Sequence, residues 1–479
     1  MAALLLLASL LPAAGEKPPV YVILWFDTED YILPASDDAA LWLADFLTKE
    51  GIRGTFKVVG EKARTLEKRK RKDVIDALKK HEIGYHSDFH SVHPTPAQYL
   101  SNLGWDEGVA EFVRREEKGW KDVERVFGQK PTCYGQPGSS WGPQSYGALR
   151  KWGMHYLDSG RHVAFDGKPC YYAGVFNLYQ LAHYTRADLN KPEELEKATT
   201  KFAEMRERIH KEGGGVVSIV YHPCEWVHKQ FWDGVNFSKG ANPPREKWKE
   251  PPQKTEEETK RAKRVFIDYI AFMKRFKDVK FITCSEAAAL YADKAAGKSF
   301  DKKEIRKVAE LAAKSADWQD HGGYALTASE AFALLVEYAE KRNDVKLGPT
   351  PLGPTSRIAE MKEAVRTDRS QFTRTVADVA SYLRKHGRMP GTVWLGSTGV
   401  PPAAFHRAMG KAVLALLDKG EVPEEIALEP AALVAEKHVS ADDPKLWGWV
   451  IFPPGMKAPA MMDLAKRQAW ALKPALLGK

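Results

Sequence analysis

The feature that most constrains the fold is a regular alternation of apolar β-type runs with amphipathic helical stretches between Pro19 and Tyr291. The first run, Val20 to Phe26, is apolar throughout, and the next stretch, Asp37 to Glu50, has apolar residues at helical spacing. Strands that are apolar along their whole length are typical of parallel sheets with both faces covered. The alternation therefore predicts an α/β fold, most economically a (β/α) barrel, in which functional residues lie where strands end.

The chain changes character near Ser299, where β-type runs give way to helical patterns. The tandem Leu347-Gly-Pro-Thr and Leu352-Gly-Pro-Thr lies between two groups of helices, because its glycines and prolines interrupt any helix. We therefore predict a barrel domain over residues 16–298 and a smaller, mostly α domain over residues 299–479.

The start of the chain predicts export. The first fifteen residues carry no charged side chain, and the apolar run from Leu4 to Leu11 is too short to span a bilayer. Ala13 and Gly15 are small residues at the positions that a signal peptidase requires before a cut at Glu16. We expect residues 1–15 to be a signal peptide and the mature protein to be secreted, either periplasmic or extracellular. No later segment has 18 uninterrupted apolar residues, so no stable membrane span is predicted.

Charge and cysteine content exclude further classes of protein. A formal charge of +9 spread over 479 residues does not indicate a nucleic-acid partner. The four cysteines form no Cys-x-x-Cys pair, which excludes the usual zinc knuckle. Their spacing leaves open whether they form disulfides or remain buried thiols.

Two clusters of metal-binding residue types follow predicted strands. Asp27, Glu29 and Asp30 follow the first strand, and His86 and His90 follow the third. An acidic cluster alone is usually a solvated loop, and most exposed histidine pairs bind nothing. Together the clusters form a two-histidine, one-carboxylate set with open positions, which suits metal-assisted hydrolysis. A bound divalent ion acidifies its water, and the second carboxylate can take the proton.

Two more clusters lie at strand ends. His222 ends the buried run Val216 to Tyr221, and it is either a satisfied strand-end histidine or a general acid that protonates a leaving amine. Gln136 and Trp141 lie in a loop that glycine and proline fix. Trp141 can stack on a sugar ring or pack in the core, and both loop residues are candidates for substrate binding.

In this order the clusters resemble the polysaccharide deacetylases of the NodB-homology class, a family of carbohydrate esterases, over residues from about 19 to 291. The resemblance implies a deformed (β/α) barrel that removes N-acetyl or O-acetyl groups from sugars. It implies one divalent metal ion, zinc, with cobalt or nickel as alternatives, and Asp27 as the catalytic base. The positions that match the family's motifs are Asp27, His86, His90, Asp158-Ser159-Gly160 and His222.

Two features depart from the family pattern, and one ligand position has an alternative. Asp-x-Glu-Asp replaces the family's adjacent carboxylates, so Glu29 and Asp30 are both candidates for the metal ligand. The loop arginine that orients the base is Gln136 here, and a neutral amide cannot lower the base's pKa by charge. His93 is an alternative to His90 as ligand, although the four-residue spacing favours His90.

Part of the C-terminal region resembles the short cell-wall-binding repeats of pseudomurein-binding proteins. The similarity lies within Val376 to Val413, where a helix, the turn Gly387 to Pro390, the β run Thr392 to Leu395 and a second helix follow one another. It implies a cell-wall polymer as a partner. The alternative is a helical domain that packs on the barrel or mediates self-association.

The sequence therefore predicts a secreted, metal-dependent hydrolase that removes N-acetyl groups from an amino-sugar-containing glycan substrate. In this hypothesis Asp27 is the general base and His222 the general acid. One alternative is a glycan- or cell-wall-binding protein whose barrel has lost turnover, which the Gln136 departure suggests. Another is a hydrolase of O-acetyl esters or of non-sugar amides.

Overall fold

A computed structural model describes residues 17–478, so the predicted signal peptide lies outside the described residues. No helix within residues 17–478 combines the length and the apolar character that crossing a membrane requires. The described strands are β1 (Val20–Thr28), β2 (Thr55–Val58), β3 (Glu82–Tyr85), β4 (Cys133–Tyr134), β5 (His155–Asp158), β6 (Cys170–Tyr172), β7 (Val175–Tyr179), β8 (Gly215–Tyr221), β9 (Val279–Ile282), β10 (Ser299–Phe300), β11 (Gln319–Asp320), β12 (Ala325–Leu326), β13 (Val345–Lys346), β14 (Val365–Asp368), β15 (Val393–Leu395), β16 (Thr398–Val400), β17 (Glu425–Leu428) and β18 (Leu472–Pro474).

The described α-helices connect and cover these strands. They are α1 (Pro34–Lys49), α2 (Gly60–Lys68), α3 (Lys72–Leu78), α4 (Pro96–Leu100), α5 (Trp105–Phe127), α6 (Gln144–Trp152), α7 (Leu195–Lys211), α8 (Trp232–Asn236), α9 (Glu256–Met273), α10 (Cys284–Leu290), α11 (Lys302–Lys314), α12 (Ala328–Lys341), α13 (Arg369–His386), α14 (Pro402–Lys419) and α15 (Pro459–Gln468).

One sheet forms the barrel, in the order β18-β6-β7-β5-β4-β3-β2-β1-β8, with β9 also paired to β1. The pairs are parallel except those that involve β6 and β18. β8 pairs along Val20 to Phe26, so β9 and β2 share the other edge of β1. β9 takes Val20 to Ile23 of that edge and β2 takes Trp25 to Thr28. The predicted α/β class, a deformed barrel followed by a smaller, mostly helical region, is confirmed.

Burial of apolar side chains explains why the barrel strands form. All nine residues of β1 are buried, and α1 packs Ala40, Leu43 and Leu47 onto the sheet at helical spacing. Each such leucine contributes about 1.5–3 kcal/mol when it leaves water. The four cysteines are also buried, and all four are free thiols.

The C-terminal region returns to the barrel. β18 adds an antiparallel strand beside β6, and Tyr172 OH donates to the carbonyl of Ala465 at 2.7 Å. Lys473 of β18 is buried, with its Nζ 2.7 Å from the Asp293 carboxylate and 2.9 Å from that of Glu330 in α12. The domain boundary near residue 298 stays a prediction, but the regions on either side of it share one sheet.

Candidate active site

The strand order brings three predicted site residues to one edge of the sheet. β3, β2, β1 and β8 are adjacent and parallel, so their carboxyl ends lie side by side. Asp27 lies near the end of β1, His86 directly follows β3 and His222 directly follows β8. Their side chains converge, because His86 Nδ1 lies 3.7 Å and His222 Nε2 lies 3.6 Å from the Asp27 carboxylate.

Glu29, His86 and His90, here called the metal group, could hold a metal ion. One ligand atom from each lies within 4.8 Å of the others, and all three residues are buried. Glu29 Oε2 is 2.8 Å from His90 Nε2 and 3.7 Å from His86 Nε2. Positive φ angles at Ser87 (+64°) and His90 (+55°) fold the turn back, so that the two histidine rings lie 5.1 Å apart. Such conformations cost energy in residues other than glycine, and they cluster at functional sites.

Hydrogen bonds around the metal group leave its ligand atoms facing one another. His86 Nδ1 donates to the carbonyl of Gly135 at 3.0 Å, so Nε2 carries the lone pair that faces Glu29. His90 Nδ1 lies 2.7 Å from Ser91 Oγ, and His90 Nε2 faces the Glu29 carboxylate. Two imidazoles held through their outer nitrogens, together with a carboxylate, suit a divalent cation. The residues present therefore fit the class of cofactor that the sequence predicts.

The charge states of the metal group also suit a cation. Burial raises the pKa of Glu29, but the charges of His90 and His222 lower it well below its ordinary value, so this carboxylate is ionised. Burial lowers the pKa of His86, which favours the neutral ring that ligates a metal.

Asp30, the other candidate carboxylate, lies outside the metal group. Its Oδ1 accepts a hydrogen bond from the backbone N–H of Ile32 at 2.8 Å, and its Oδ2 lies 3.5 Å from His228 Nε2. The local turn after β1 thus directs Asp30 away from His86. Of the two carboxylates that the sequence leaves open, the structure brings Glu29 to the histidines.

His93 is likewise placed elsewhere. Its Nδ1 accepts a hydrogen bond from Gln98 Nε2 at 2.8 Å, and its ring stacks against Phe237 with centroids 6.1 Å apart. His90 is therefore the second imidazole beside His86, as the four-residue spacing favours.

Asp27 is held by a cation that sequence reasoning missed. Lys57, in β2, is fully buried, and its Nζ lies 2.9 Å from Asp27 Oδ1 and 3.3 Å from Asp158 Oδ2. Burial raises the pKa of Asp27, but its interactions with His86 and with the charged Lys57 lower it below its ordinary value. The sequence contains one indication of this contact, a lysine within a strand predicted to be buried. A buried charge is costly unless it is paired, so such a lysine implies a carboxylate partner.

Gln136 does not take the place of the missing loop arginine. It is buried, and its Oε1 accepts a hydrogen bond from Tyr156 OH at 2.5 Å. Its Nε2 donates to the carbonyl of Gly138 at 3.1 Å and to Tyr179 OH at 3.3 Å. Both ends of the amide are used within the protein, so neither is free for the predicted contact with substrate. The positive charge beside the base comes from Lys57 in β2 instead.

His222 is held as an acid. Its Nδ1 lies 2.8 Å from Glu225 Oε1, and Glu225 is itself ion-paired with Arg186. Burial lowers the pKa of His222, but the charges of Glu29 and Glu225 outweigh burial and raise the pKa to about 9. Glu225 stabilises the protonated ring, which can donate a proton through Nε2, the nitrogen that faces Asp27.

Trp141 has no free face. It is 0% exposed, and its ring stacks on His162 with centroids 4.8 Å apart and an interplanar angle of 11°. Of the two alternatives that the sequence leaves open, the structure supports packing in the core, and the predicted contact between Trp141 and a sugar is not available.

An aromatic side chain reaches the site from the C-terminal region. Trp449 is partly exposed, and its ring meets that of His90 edge-on, with centroids 5.2 Å apart. Trp449 Nε1 donates to Asp233 Oδ2 at 2.6 Å, and its backbone N–H donates to Ser139 Oγ at 3.1 Å. At Gly138 a side chain would meet the Trp449 ring at 2.2 Å, so glycine is required there. Sequence reasoning missed Trp449 because it assigned no site residues to the C-terminal region.

Comparisons with known proteins find similar structures at low sequence identity. No family profile matches the sequence, and neither does any curated protein. A Mycobacterium smegmatis protein described as a polysaccharide deacetylase is 14% identical, with a TM-score of 0.38 over 58% of this chain and 92% of that chain. An allantoinase is 12% identical, with a TM-score of 0.37 over 57% of this chain and 91% of that chain. A family 4 carbohydrate esterase from Streptomyces lividans, in complex with acetate, is 15% identical, with a TM-score of 0.30 over 57% and 96%. At these identities the likenesses concern the fold alone.

Proposed function

We propose that this protein is a metal-dependent hydrolase that removes N-acetyl groups from an amino-sugar-containing glycan. The observation that carries the proposal is the convergence of the metal group with a second ionised carboxylate, Asp27, and a protonated imidazole, His222. Amide hydrolysis needs an activated water, a base for its proton and an acid for the leaving nitrogen. The site contains residues for all three tasks.

The residues divide the reaction between them. A divalent cation in the metal group, zinc or alternatively cobalt or nickel, would act as a Lewis acid towards water and the acyl oxygen. Asp27 takes a proton from the attacking water, because its carboxylate is ionised and lies beside the metal group. His222 gives a proton to the sugar nitrogen as the C–N bond breaks, which releases acetate and the free amine. Lys57 holds Asp27 in position.

Two features favour this activity over the alternatives. An amine is a poor leaving group unless it is protonated, and a protonated His222 can supply that proton. Hydrolysis of an ester depends less on such a proton donor. The missing loop arginine suggested a barrel without turnover, but Lys57 supplies a positive charge beside the base. Both observations favour an active amide hydrolase.

We further propose where the protein acts. The uncharged, apolar first fifteen residues support secretion, to the periplasm or the cell exterior. Trp394, which is 60% exposed on β15, lies in the stretch that resembles cell-wall-binding repeats, and it is the candidate contact with a cell-wall polymer.

The test of the activity is acetate release from matched N-acetylated and O-acetylated oligosaccharides, with chelator and after adding back Zn²⁺, Co²⁺ or Ni²⁺. We expect release from the amides, loss of release with chelator and recovery with at least one metal. Release from the esters alone would establish an esterase instead. No release from any glycan would leave a binding protein.

The metal group is tested separately by His86→Ala. We expect this variant to bind metal at least about 100-fold more weakly, since the loss of even an outer hydrogen-bond partner costs about 10- to 100-fold. The matched control is His93→Ala, which removes a nearby imidazole that does not face Glu29. Metal content after equilibrium dialysis, read by mass spectrometry, gives the result. Equal metal loss in both variants would contradict the assignment of ligands.

A further inference from the structure

A cavity of about 210 Å³ lies beside the candidate active site. Three separate parts of the chain line it. They are the loop after β4 with Gly138 and Ser139, the loop after β5 with Arg161 and His162, and the C-terminal segment with Lys445. The cavity therefore exists only because the C-terminal region packs against the barrel.

Two chains of contacts join this cavity to the reacting groups. On one side Ser139 Oγ accepts the hydrogen bond from the backbone N–H of Trp449, whose ring faces His90. On the other side Ser159, also in the cavity wall, donates its backbone N–H to Asp158 Oδ1 at 2.6 Å. Asp158 in turn pairs with the lysine that holds Asp27. The cavity is thus connected to the reacting groups through both chains of contacts.

The lining of this cavity is positively charged. Arg161 and Lys445 are exposed, and neither side chain forms an ion pair or a hydrogen bond with any residue in the range 17–478. Asp443, which is near in sequence, accepts from the backbone N–H of Lys445 at 2.8 Å rather than from its ammonium group. Among the residues that the structure describes, no aspartate or glutamate lines the cavity.

The lining of the cavity also contains a polar atom without a hydrogen-bond partner among residues 17–478. His162 is fully buried, and its Nδ1 is bonded to Tyr179 OH at 2.7 Å. Its Nε2 has no hydrogen-bond partner in the part of the chain that the structure describes. Tyr179 OH accepts from Gln136 Nε2 and can donate to His162 Nδ1, which leaves the proton of the neutral ring on Nε2 as a free donor. Two unpaired cations and this N–H donor, in a concave site that no acid of residues 17–478 lines, favour an anion. Oxyanions form short, charge-assisted hydrogen bonds with such groups, and a cleft lined by one sign of charge concentrates the opposite sign.

We propose that this cavity is a subsite for an anionic substituent of the substrate, so that the substrate is an acidic glycan. A sugar that bears a carboxylate, a sulfate or a phosphate lies in the cavity while its N-acetylated neighbour lies at the metal group. Arg161 and Lys445 are the residues that determine this specificity. The inference rests on the proposed deacetylase function for the position of the neighbouring sugar, but the anion subsite can be tested by binding alone.

The experiment compares four oligosaccharides of equal length with the full chain. Hyaluronan hexasaccharide carries carboxylates, and its carboxyl-reduced form has the same linkages without charge. Chitohexaose is a neutral reference, and 6-O-sulfated chitohexaose replaces the carboxylate by sulfate. We expect KM for acetate release to be about tenfold lower for the anionic member of each pair, and this difference to narrow in high salt.

The variants are Arg161→Gln and Lys445→Gln. We expect each to raise KM for the anionic oligosaccharides about fivefold, which is the effect of about 1 kcal/mol for a partly exposed charge pair. KM for the neutral oligosaccharides and kcat for all four should stay unchanged. The matched controls are Arg208→Gln and Lys168→Gln, which remove exposed cations outside the cavity. They should change none of these values.

Calorimetric binding to the same four oligosaccharides separates the two proposals. If no acetate is released but the protein binds the anionic forms and the two cavity variants weaken that binding, the deacetylase function fails and the anion subsite stands. If acetate is released without preference for charge, or if the cavity variants alter neutral and anionic KM equally, the subsite is overturned and the deacetylase function stands.

Discussion

Buried charge is the decisive feature at the scale of single residues. Lys57 lies between two carboxylates, Asp27 and Asp158, with no exposed side-chain surface of its own. Burial raises the pKa of Asp158 to about 6 even though Lys57 opposes that shift. Removal of one member of a buried ion pair typically costs about 3–5 kcal/mol, because the remaining charge is left uncompensated. The same lysine thus affects both stability and the orientation of the base.

We predict that Lys57→Met lowers kcat/KM at least about 100-fold, chiefly through kcat, because Asp27 loses the partner that positions it. The free energy of unfolding should fall by about 3 kcal/mol. The control is Lys473→Met, which breaks another buried lysine–carboxylate pair, remote from the metal group. It should lose similar stability in urea and keep kcat/KM per folded molecule. An equal loss of activity in both variants would show that Lys57 acts only through stability.

Trp449 provides a second prediction at this scale. We expect Trp449→Ala to raise KM up to about tenfold with little change in kcat, because an aromatic contact contributes about 0.5–1.5 kcal/mol beyond its burial. Trp449→Phe keeps a ring beside His90 but loses the hydrogen bond to Asp233, so its KM should lie between that of the wild type and that of Trp449→Ala. Steady-state kinetics on one N-acetylated oligosaccharide give the comparison. An unchanged KM in the alanine variant would exclude Trp449 from substrate binding.

These residues also mark the limit of prediction from sequence. Asp27, His86 and His222 could be predicted because each lies where an apolar strand ends, and parallel strands end at one edge. The choice of Glu29 over Asp30 could not be predicted, because it depends on the turn in which the backbone N–H of Ile32 donates to Asp30. Lys57 and Trp449 were missed since their partners lie on distant parts of the chain.

At the scale of elements, the long helix α5 fixes the turn that carries the histidines. Glu116 in α5 accepts hydrogen bonds through Oε2 from Tyr85 OH at 2.6 Å and from the backbone N–H of Asp88 at 2.8 Å. Tyr85 ends β3, and Asp88 lies between His86 and His90 in sequence. One buried carboxylate therefore ties helix, strand and turn together. Burial raises the pKa of Glu116 from its ordinary value of 4.5 to about 7.

This raised pKa predicts a pH-dependent stability. The folded state binds the Glu116 proton more tightly than the unfolded chain, so this group's contribution is most favourable below about pH 4.5. It is lost progressively as pH rises from about 4.5 to 7. Glu116→Gln keeps a carbonyl acceptor and removes the titration. We expect the difference in free energy of unfolding, variant minus wild type, to increase by about 3 kcal/mol as pH rises from 4.5 to 8.

Urea unfolding of both proteins at several pH values measures this difference. The partly exposed neighbour Glu117 on the same helix provides the control variant Glu117→Gln. A constant difference between Glu116→Gln and wild type across the pH range would contradict a titrating Glu116.

At the scale of the whole molecule, the barrel and the C-terminal region share one sheet through β18. The composition change near Ser299 correctly indicated a mostly helical second region. It could not indicate that the chain returns to pair Leu472 with Tyr172, because pairing between distant segments leaves no local pattern. The site itself depends on this return, since Trp449 and the anion cavity come partly from the C-terminal region.

We therefore predict a single unfolding transition for the full chain. Elements that share a sheet and a buried ion pair lose their contacts together, which makes the transition cooperative. Circular dichroism and tryptophan fluorescence should give coincident urea curves. Two separated transitions would mean that the regions on either side of residue 298 unfold independently.

Glu29, His86 and His90 are the proposed ligands of one divalent cation. Anomalous diffraction at the zinc absorption edge, from crystals grown with equimolar Zn²⁺, tests this assignment most directly. We predict one peak bounded by His86 Nε2, His90 Nε2 and the Glu29 carboxylate, with Zn–N distances of about 2.0–2.1 Å. A metal-free site, or a peak only at the other buried group of Glu82, Cys133 and Cys284, would contradict this assignment of ligands.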